Sequence, residues 1–325
     1  MKLASLRTNK PDGRFVLVHP SFKKAVDVPE SWAKNLLEAL EKWEQILPKL
    51  QDLDHQMRND LVPTFAISEA DFMACLPRTF LFADGSSFLH HVRLVRKARN
   101  AEMPESFLKI PLIYQGESGR FLSPTENIPA FPVEFGTDFE AEVGVITKFV
   151  PMGISAEKAL DHIALVVLIN DVSLRGLIPE ELSAGFGFFQ SKPASALSPV
   201  AVTLDELGTA WKQGRLHLPL HVKFNEKFFG QAHAGEMHFH FGEIIAHAAR
   251  TRDLQAGTLI GSGTVSNDDP KAGSSCLVEK RTLEILQDGK ASTPYMTSSD
   301  RVEIWMENEE GKNIFGRIFQ QVVSR

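Results

Sequence analysis

Glu140 and Glu142 stand two residues apart in the run Asp138-Phe139-Glu140-Ala141-Glu142-Val143-Gly144-Val145. Alternate side chains of a strand share a face, so both carboxylates point the same way and Phe139, Ala141, Val143 and Val145 form the apolar face. Burying such a pair costs several kcal/mol unless a cation or a shared proton neutralises it. Ligands that are all oxygen suit hard cations such as Mg2+ or Ca2+. The competing reading is a solvated face of an antiparallel sheet. Asp171, in Ile169-Asn170-Asp171-Val172-Ser173-Leu174-Arg175, ends an apolar run where a buried strand would emerge. Such ends often carry site residues, although an Asn-Asp pair also makes turns. Asp84 precedes Gly85-Ser86-Ser87-Phe88-Leu89-His90-His91 and reads as a ligand or a helix cap. His91 is a candidate general base, since histidine is the side chain suited to proton transfer near neutral pH. Lys192, in Gly187-Phe188-Phe189-Gln190-Ser191-Lys192-Pro193, suits an oxyanion partner or a snorkelling surface residue. Gly261-Ser262-Gly263-Thr264-Val265-Ser266, with Glu279 downstream, permits close backbone approach to a ligand.

Other chemistries are excluded by pattern. The Gly261 segment lacks the G-x-G-x-x-G dinucleotide spacing, and no G-x-S-x-G elbow exists. His238 and His240 share a strand face and lie near His233 and His247, but without HExxH or a cysteine pair they do not make a zinc site. Cys75 and Cys276 cannot build a disulfide framework and read as packing residues. With 35 Lys+Arg against 41 Asp+Glu the net charge is −6, which offers no grip on nucleic acid or an anionic membrane. No apolar run spans a bilayer and no signal-peptide core is present, so a cytoplasmic enzyme is expected.

The elements that must position these residues form an α+β, mostly β protein of 325 residues. A small N-terminal α/β domain is expected over 1–75, and a catalytic domain over 76–325. The first opens with a hairpin of Leu3–Leu6 and Phe15–Val18. Trp32, Leu36, Leu37, Leu40, Trp43, Ile46 and Leu47 then follow a helical period, with Ser31 as cap and Pro48 as stop. Beyond, the pattern predicts a basic helix over 90–102 and strands over 138–150 and 166–169. It predicts a hairpin turning at Asn225-Glu226 and a helix from Gly242. The runs 258–267, 276–286, 300–308 and 313–323 read as strands.

In this order, four segments resemble the fumarylacetoacetate hydrolase family over roughly residues 76–325. Asp138–Ile146 resembles its E-x-E strand, and Ile169–Arg175 its N-D-x-S-x-R segment. Phe188–Pro199 is similar to its lysine segment and Gly261–Ser266 to its G-T-x-S strand. The resemblance implies a mixed β-roll catalytic domain, a homodimer, and a divalent metal, Mg2+ or Ca2+ with Mn2+ as a third choice. It implies Asp84, Glu140, Glu142 and Asp171 as metal ligands, with Lys192 and Arg175 beside them. His91 matches the catalytic histidine seven residues after the first ligand, and Glu279 the glutamate that orients it, in a context two residues longer than the family's. Tyr114, in Pro111-Leu112-Ile113-Tyr114-Gln115-Gly116, Arg99 (less well Arg96) and Thr264 are the implied substrate contacts.

Departures fall on substrate positions. Ile178 replaces a glutamine, Ser86 and Leu182 replace tyrosines, and Ser195 is a doubtful stand-in for a threonine of a second metal site. The implied activity is metal-dependent hydrolysis of a β-diketone C–C bond in a diketo acid. Fumarylacetoacetate, late in phenylalanine and tyrosine catabolism, is the favoured substrate. The alternatives are an acylpyruvate hydrolase or 2-oxo-acid decarboxylase of the same family, and a catalytically silent ligand-binding member.

Overall fold

The computed structural model describes residues 1–98 and 102–324. Helix and strand are mixed, and sheets dominate. The longest sheet is built outward from Ile163–Asn170, a strand buried at every position. Its run of Val, Leu and Ile suits a strand covered on both faces. Val166 and Leu168 pack into one core, while Leu165, Val167 and Ile169 pack into another with Leu36, Leu40, Ile46 and Leu50. On one side it pairs antiparallel with Ala141–Thr147, in register Ile169 to Glu142 and Val167 to Gly144. A side chain on Gly144 would come within 2.6 Å of Ile169 Cδ1, so this close pairing requires glycine. Leu259–Gly261, Phe82–Gly85 and Ile113–Gly116 continue that side. On the other side Ala201–Val202 leads to Lys2–Leu6, Arg14–Val18, Lys24–Asp27 and Phe65–Ala66. The N-terminal hairpin is therefore hydrogen-bonded into the same sheet as the candidate ligand strand. A second sheet of five strands runs Lys227–His233, Pro219–Phe224, Arg301–Met306, Ile318–Val323 and Ile128–Pro129. Its first hairpin turns at Asn225 and Glu226, both at positive φ, as a two-residue loop of this hand needs.

Three sequence expectations are corrected. Ser31 caps no helix: Asn35 does, accepting the Glu38 N–H at 2.8 Å ahead of the helix Leu36–Glu41. Pro48 does not stop the next helix, Trp43–Arg58, but lies inside it. Proline there forfeits an intrahelical bond, which burial of Trp43, Ile46, Leu50, Leu53 and Met57 offsets. The run 276–286 is not a strand; Leu277–Asp288 is a helix. The basic helix spans Leu89–Ala98, and Arg99 lies outside the described residues. Among the described residues no helix is long and apolar enough to cross a membrane.

Candidate active site

Asp84 ends on the strand Phe82–Gly85, opposite Gly261 on one side and Tyr114 on the other. Glu142 projects from Ala141–Thr147, and Asp171 follows the last residue of Ile163–Asn170. One carboxylate oxygen from each of Asp84, Glu142 and Asp171 lies within 4.8 Å of the others, and all three side chains are buried. The approach depends on Gly261, where a Cβ would sit 2.0 Å from Asp84 Oδ1 and 3.1 Å from Glu142 Oε2. The Gly263 N–H donates to Asp84 Oδ1 at 3.2 Å. Neither oxygen of Glu142 has a hydrogen-bond partner. Burial, then the neighbouring carboxylates, push Asp84 and Glu142 well above the ordinary carboxyl range. A buried carboxylate with two orphaned oxygens is costly alone, and an all-oxygen cluster of this size is what a hard divalent cation takes. The residues fit such an ion.

Glu140 is tuned in the opposite direction. Its carboxylate accepts from Lys192 Nζ at 2.7 Å and from the hydroxyls of Ser173 and Thr264, and Arg175 Nη2 lies 3.2 Å away. Burial would raise it, but Arg175, Lys192 and His91 outweigh that and hold it well below the ordinary range. Lys192 also bonds Asp171 and lies 4.8 Å above the Tyr114 ring. Burial opposes its charge, yet Asp171 and Glu140 raise it above an ordinary lysine, so it stays an ammonium. Asp171 accepts in addition from Tyr114 Oη at 2.5 Å and Ser195 Oγ at 2.6 Å. Ser195 thus serves the same carboxylate.

His91 Nδ1 lies 3.1 Å from Glu279 Oε1, and Glu279 is 2% exposed in the first turn of the helix Leu277–Asp288. His90 points elsewhere, with Nδ1 2.7 Å from Ser266 Oγ. Sequence reasoning missed Asp138, the residue that fixes this helix. Fully buried, it accepts the Leu277 N–H at 2.7 Å, the Val278 N–H at 3.0 Å and Arg175 Nε at 2.8 Å. One carboxylate therefore anchors both the helix that carries Glu279 and the guanidinium beside Glu140. No local pattern marks it, because an acid can be read as a partner of a helix N-terminus only once the helix start is known. A cavity of about 400 Å³ opens onto His91, Asp84, Glu140, Arg175, Lys192 and Thr264. Ser86, Ile178 and Leu182, the departures, line the same cavity, as do Tyr114 and Arg96.

The chain matches two described families: "Fumarylacetoacetate (FAA) hydrolase C-terminal" over residues 81–323 and "Fumarylacetoacetase N-terminal domain 2" over residues 1–78. Oxaloacetate tautomerase YisK of Bacillus subtilis is 25% identical over 205 residues, which are 62% of this chain and 64% of that protein. The chain thus matches less than two thirds of that relative's length. Fumarylacetoacetate hydrolase from Exiguobacterium antarcticum superposes over 100% of both chains with a TM-score of 0.69 at 18% identity. Maleylpyruvate hydrolase from Sphingobium sp. SYK-6, solved with manganese(II) and pyruvate, covers 100% of this chain and 99% of its own, with a TM-score of 0.67 at 14% identity.

Proposed function

This chain belongs to the fumarylacetoacetate hydrolase family, and from that premise we propose that it hydrolyses a carbon–carbon bond of a β-diketo acid, with fumarylacetoacetate as the favoured substrate. The observation that carries the reading is His91 on the cavity wall beside the carboxylate cluster, held from behind by the buried Glu279. Asp84, Glu142 and Asp171, with Glu140 as a fourth ligand, would hold a divalent cation, which when bound supplies Lewis-acid polarisation of the diketo oxygens. Glu279 accepts the Nδ1–H of His91, which leaves Nε2 with the lone pair. Nε2 takes a proton from water, and the hydroxide adds to a carbonyl carbon. Lys192, held as an ammonium, and Arg175 stabilise the oxyanion. The C–C bond breaks with its electron pair on the leaving enolate, whose carbon then takes the proton from His91. A homodimer goes with this reading, and the exposed Leu283, Ile285 and Leu286 support an apolar contact surface.

Tautomerisation or isomerisation is the second reading, favoured by the relative named for oxaloacetate tautomerisation. It moves a proton without consuming water. Incubating the protein with a panel of diketo acids and Mg2+, Mn2+ or Ca2+, in 18O-labelled water, separates the two. Cleavage products with label in the new carboxylate are expected. Keto–enol interconversion without cleavage would refute the hydrolase, and binding without either reaction would favour a silent ligand-binding protein.

A further inference from the structure

Beside the all-oxygen cluster lies a second group of different chemistry. One ligand atom from each of His91, Cys276 and Glu279 lies within 4.8 Å of the others. Cys276 is fully buried and Glu279 nearly so, while the His91 side chain is 16% exposed and borders the cavity. The three offer nitrogen, sulfur and a carboxylate oxygen, the donor set of borderline-soft cations, which hard cations do not seek. Cys276 sits just before the helix Leu277–Asp288, two residues after Ser274 and three before Glu279, so its thiol and the Glu279 carboxylate converge at one helix start. Burial, then Glu279, Asp138 and Glu140 against Arg175, push the Cys276 thiol well above its ordinary range, so it is a thiol until a cation binds. Three of these four residues are anions, a setting that attracts a cation.

We propose that His91, Cys276 and Glu279 form a second, thiophilic cation site, for zinc(II) or cadmium(II), whose occupation silences the enzyme. The cation enters from the cavity past His91, binds His91 Nδ1, Cys276 Sγ and Glu279, and leaves its fourth position to water. The thiol proton is released to solvent as the sulfur binds. A neutral imidazole carries one proton. In the metal-free site Nδ1 holds it against Glu279, and Nε2 keeps the lone pair. With a cation on Nδ1 the proton resides on Nε2, and the lone pair that would accept a proton from water is gone. The hard cation on Asp84, Glu142 and Asp171 need not move. The silencing rests on His91 being the base, as in the proposed function; the binding does not.

Cobalt(II) reports the two sites differently, because only a site with sulfur gives a thiolate-to-cobalt absorption in the near ultraviolet. The magnesium-loaded protein is titrated with cobalt(II), and then with zinc(II). The absorption is expected to rise to one equivalent and to bleach as zinc displaces cobalt. It should persist in Cys75→Ser, whose cysteine packs in the core with Leu36 and Leu40, and vanish in Cys276→Ser. No absorption in the wild type, or absorption that survives Cys276→Ser, overturns the site. Turnover of the magnesium enzyme should fall as zinc fills the site. Cys276→Ser should need at least the about 10–100-fold more zinc that loss of even an outer-shell partner costs in metal affinity. An absorption that forms while turnover is untouched overturns the silencing and, with it, His91 as base.

Discussion

Substituting Glu142 by glutamine should stabilise the protein without metal and destabilise it, relative to wild type, with metal. Glu142 is 0% exposed, and neither of its oxygens has a partner. Asp84 and Asp171 face it across less than 4.8 Å. A buried polar group left unsatisfied costs roughly 1–3 kcal/mol, and more when charged; the glutamine amide is uncharged and has N–H groups to donate to the neighbouring Asp84 and Asp171 oxygens, so Glu142→Gln should recover about that much in EDTA. A cation at a hundred times its dissociation constant adds about 2.7 kcal/mol to a protein that binds it and nothing to one that does not. The order of the two melting temperatures should therefore reverse on adding Mg2+. The pH dependence follows from the direction of the shift. A carboxyl whose native pKa is raised holds its proton more tightly folded than unfolded. As pH rises past the ordinary value of 4.5, the unfolded state gives up its proton first, and stability falls until the native pKa is passed. The gap between Glu142→Gln and wild type in EDTA should widen with pH over that window. The assay is thermal unfolding of both proteins from acid to neutral pH, with and without Mg2+. A Glu142→Gln protein that melts below wild type in EDTA, or that gains as much from Mg2+ as wild type does, refutes the assignment of this cluster to a cation.

Chelated protein in metal-free buffer should be inactive and should recover with Mg2+, Mn2+ or Ca2+; full activity after chelation would end the metal hypothesis. His91→Ala should lower turnover about 10²–10⁴-fold with metal affinity kept, while His90→Ala, whose ring bonds Ser266, should be mild; turnover and calorimetric metal titration of both variants check this, and a silent His91→Ala would favour decarboxylation. Glu142→Ala should abolish metal binding in calorimetry, whereas Glu134→Ala, outside the cluster, should not; equal losses would count against the ligand set. Gly261→Ala should weaken the metal without unfolding the chain, since its methyl group would meet Asp84 Oδ1 at 2.0 Å; unchanged affinity would show that Asp84 can yield that space.

The carboxylates were legible only as candidates, and their grouping into one ligand set was what the family resemblance implied. The Glu140/Glu142 alternation marks two carboxylates on one face, and Asp171 ends an apolar run, but each pattern also fits a solvated sheet face or an Asn-Asp turn. The choice of His91 over the adjacent His90 came from the resemblance, whose histidine stands seven residues after the first ligand, and composition alone cannot make it. The different fates of Glu140 and Glu142 were not legible. They share a face, but Lys192, Ser173 and Thr264 arrive at only one of them, from segments far away in sequence. The helix Leu277–Asp288 was misread for a physical reason. Its inward residues include Glu279, Thr282 and Glu284, while Leu283, Ile285 and Leu286 face outward, so hydrophobic periodicity pointed away from the core. With the helix went its anchor, Asp138, whose partners lie about 140 residues downstream. Pro48 misled because a general rule about helix interiors met a helix held by its tertiary contacts.

The pairing of Lys2–Leu6 with Ala201–Val202 also sets an order of events on the ribosome. Leu3 meets Ala201 across an antiparallel register, about 200 residues later in the chain. Synthesis at about 5–20 residues per second means that the first strand emerges some 10–40 seconds before its neighbour exists. Through that interval it has the Arg14–Val18 strand on one edge and nothing on the other. An open edge of Lys2-Leu3-Ala4-Ser5-Leu6 is a template for pairing with another nascent chain. The nascent chain is thus open to misassembly along this strand edge, and mutations that slow translation between residues 80 and 200 should lower soluble yield while leaving the finished protein's melting temperature unchanged.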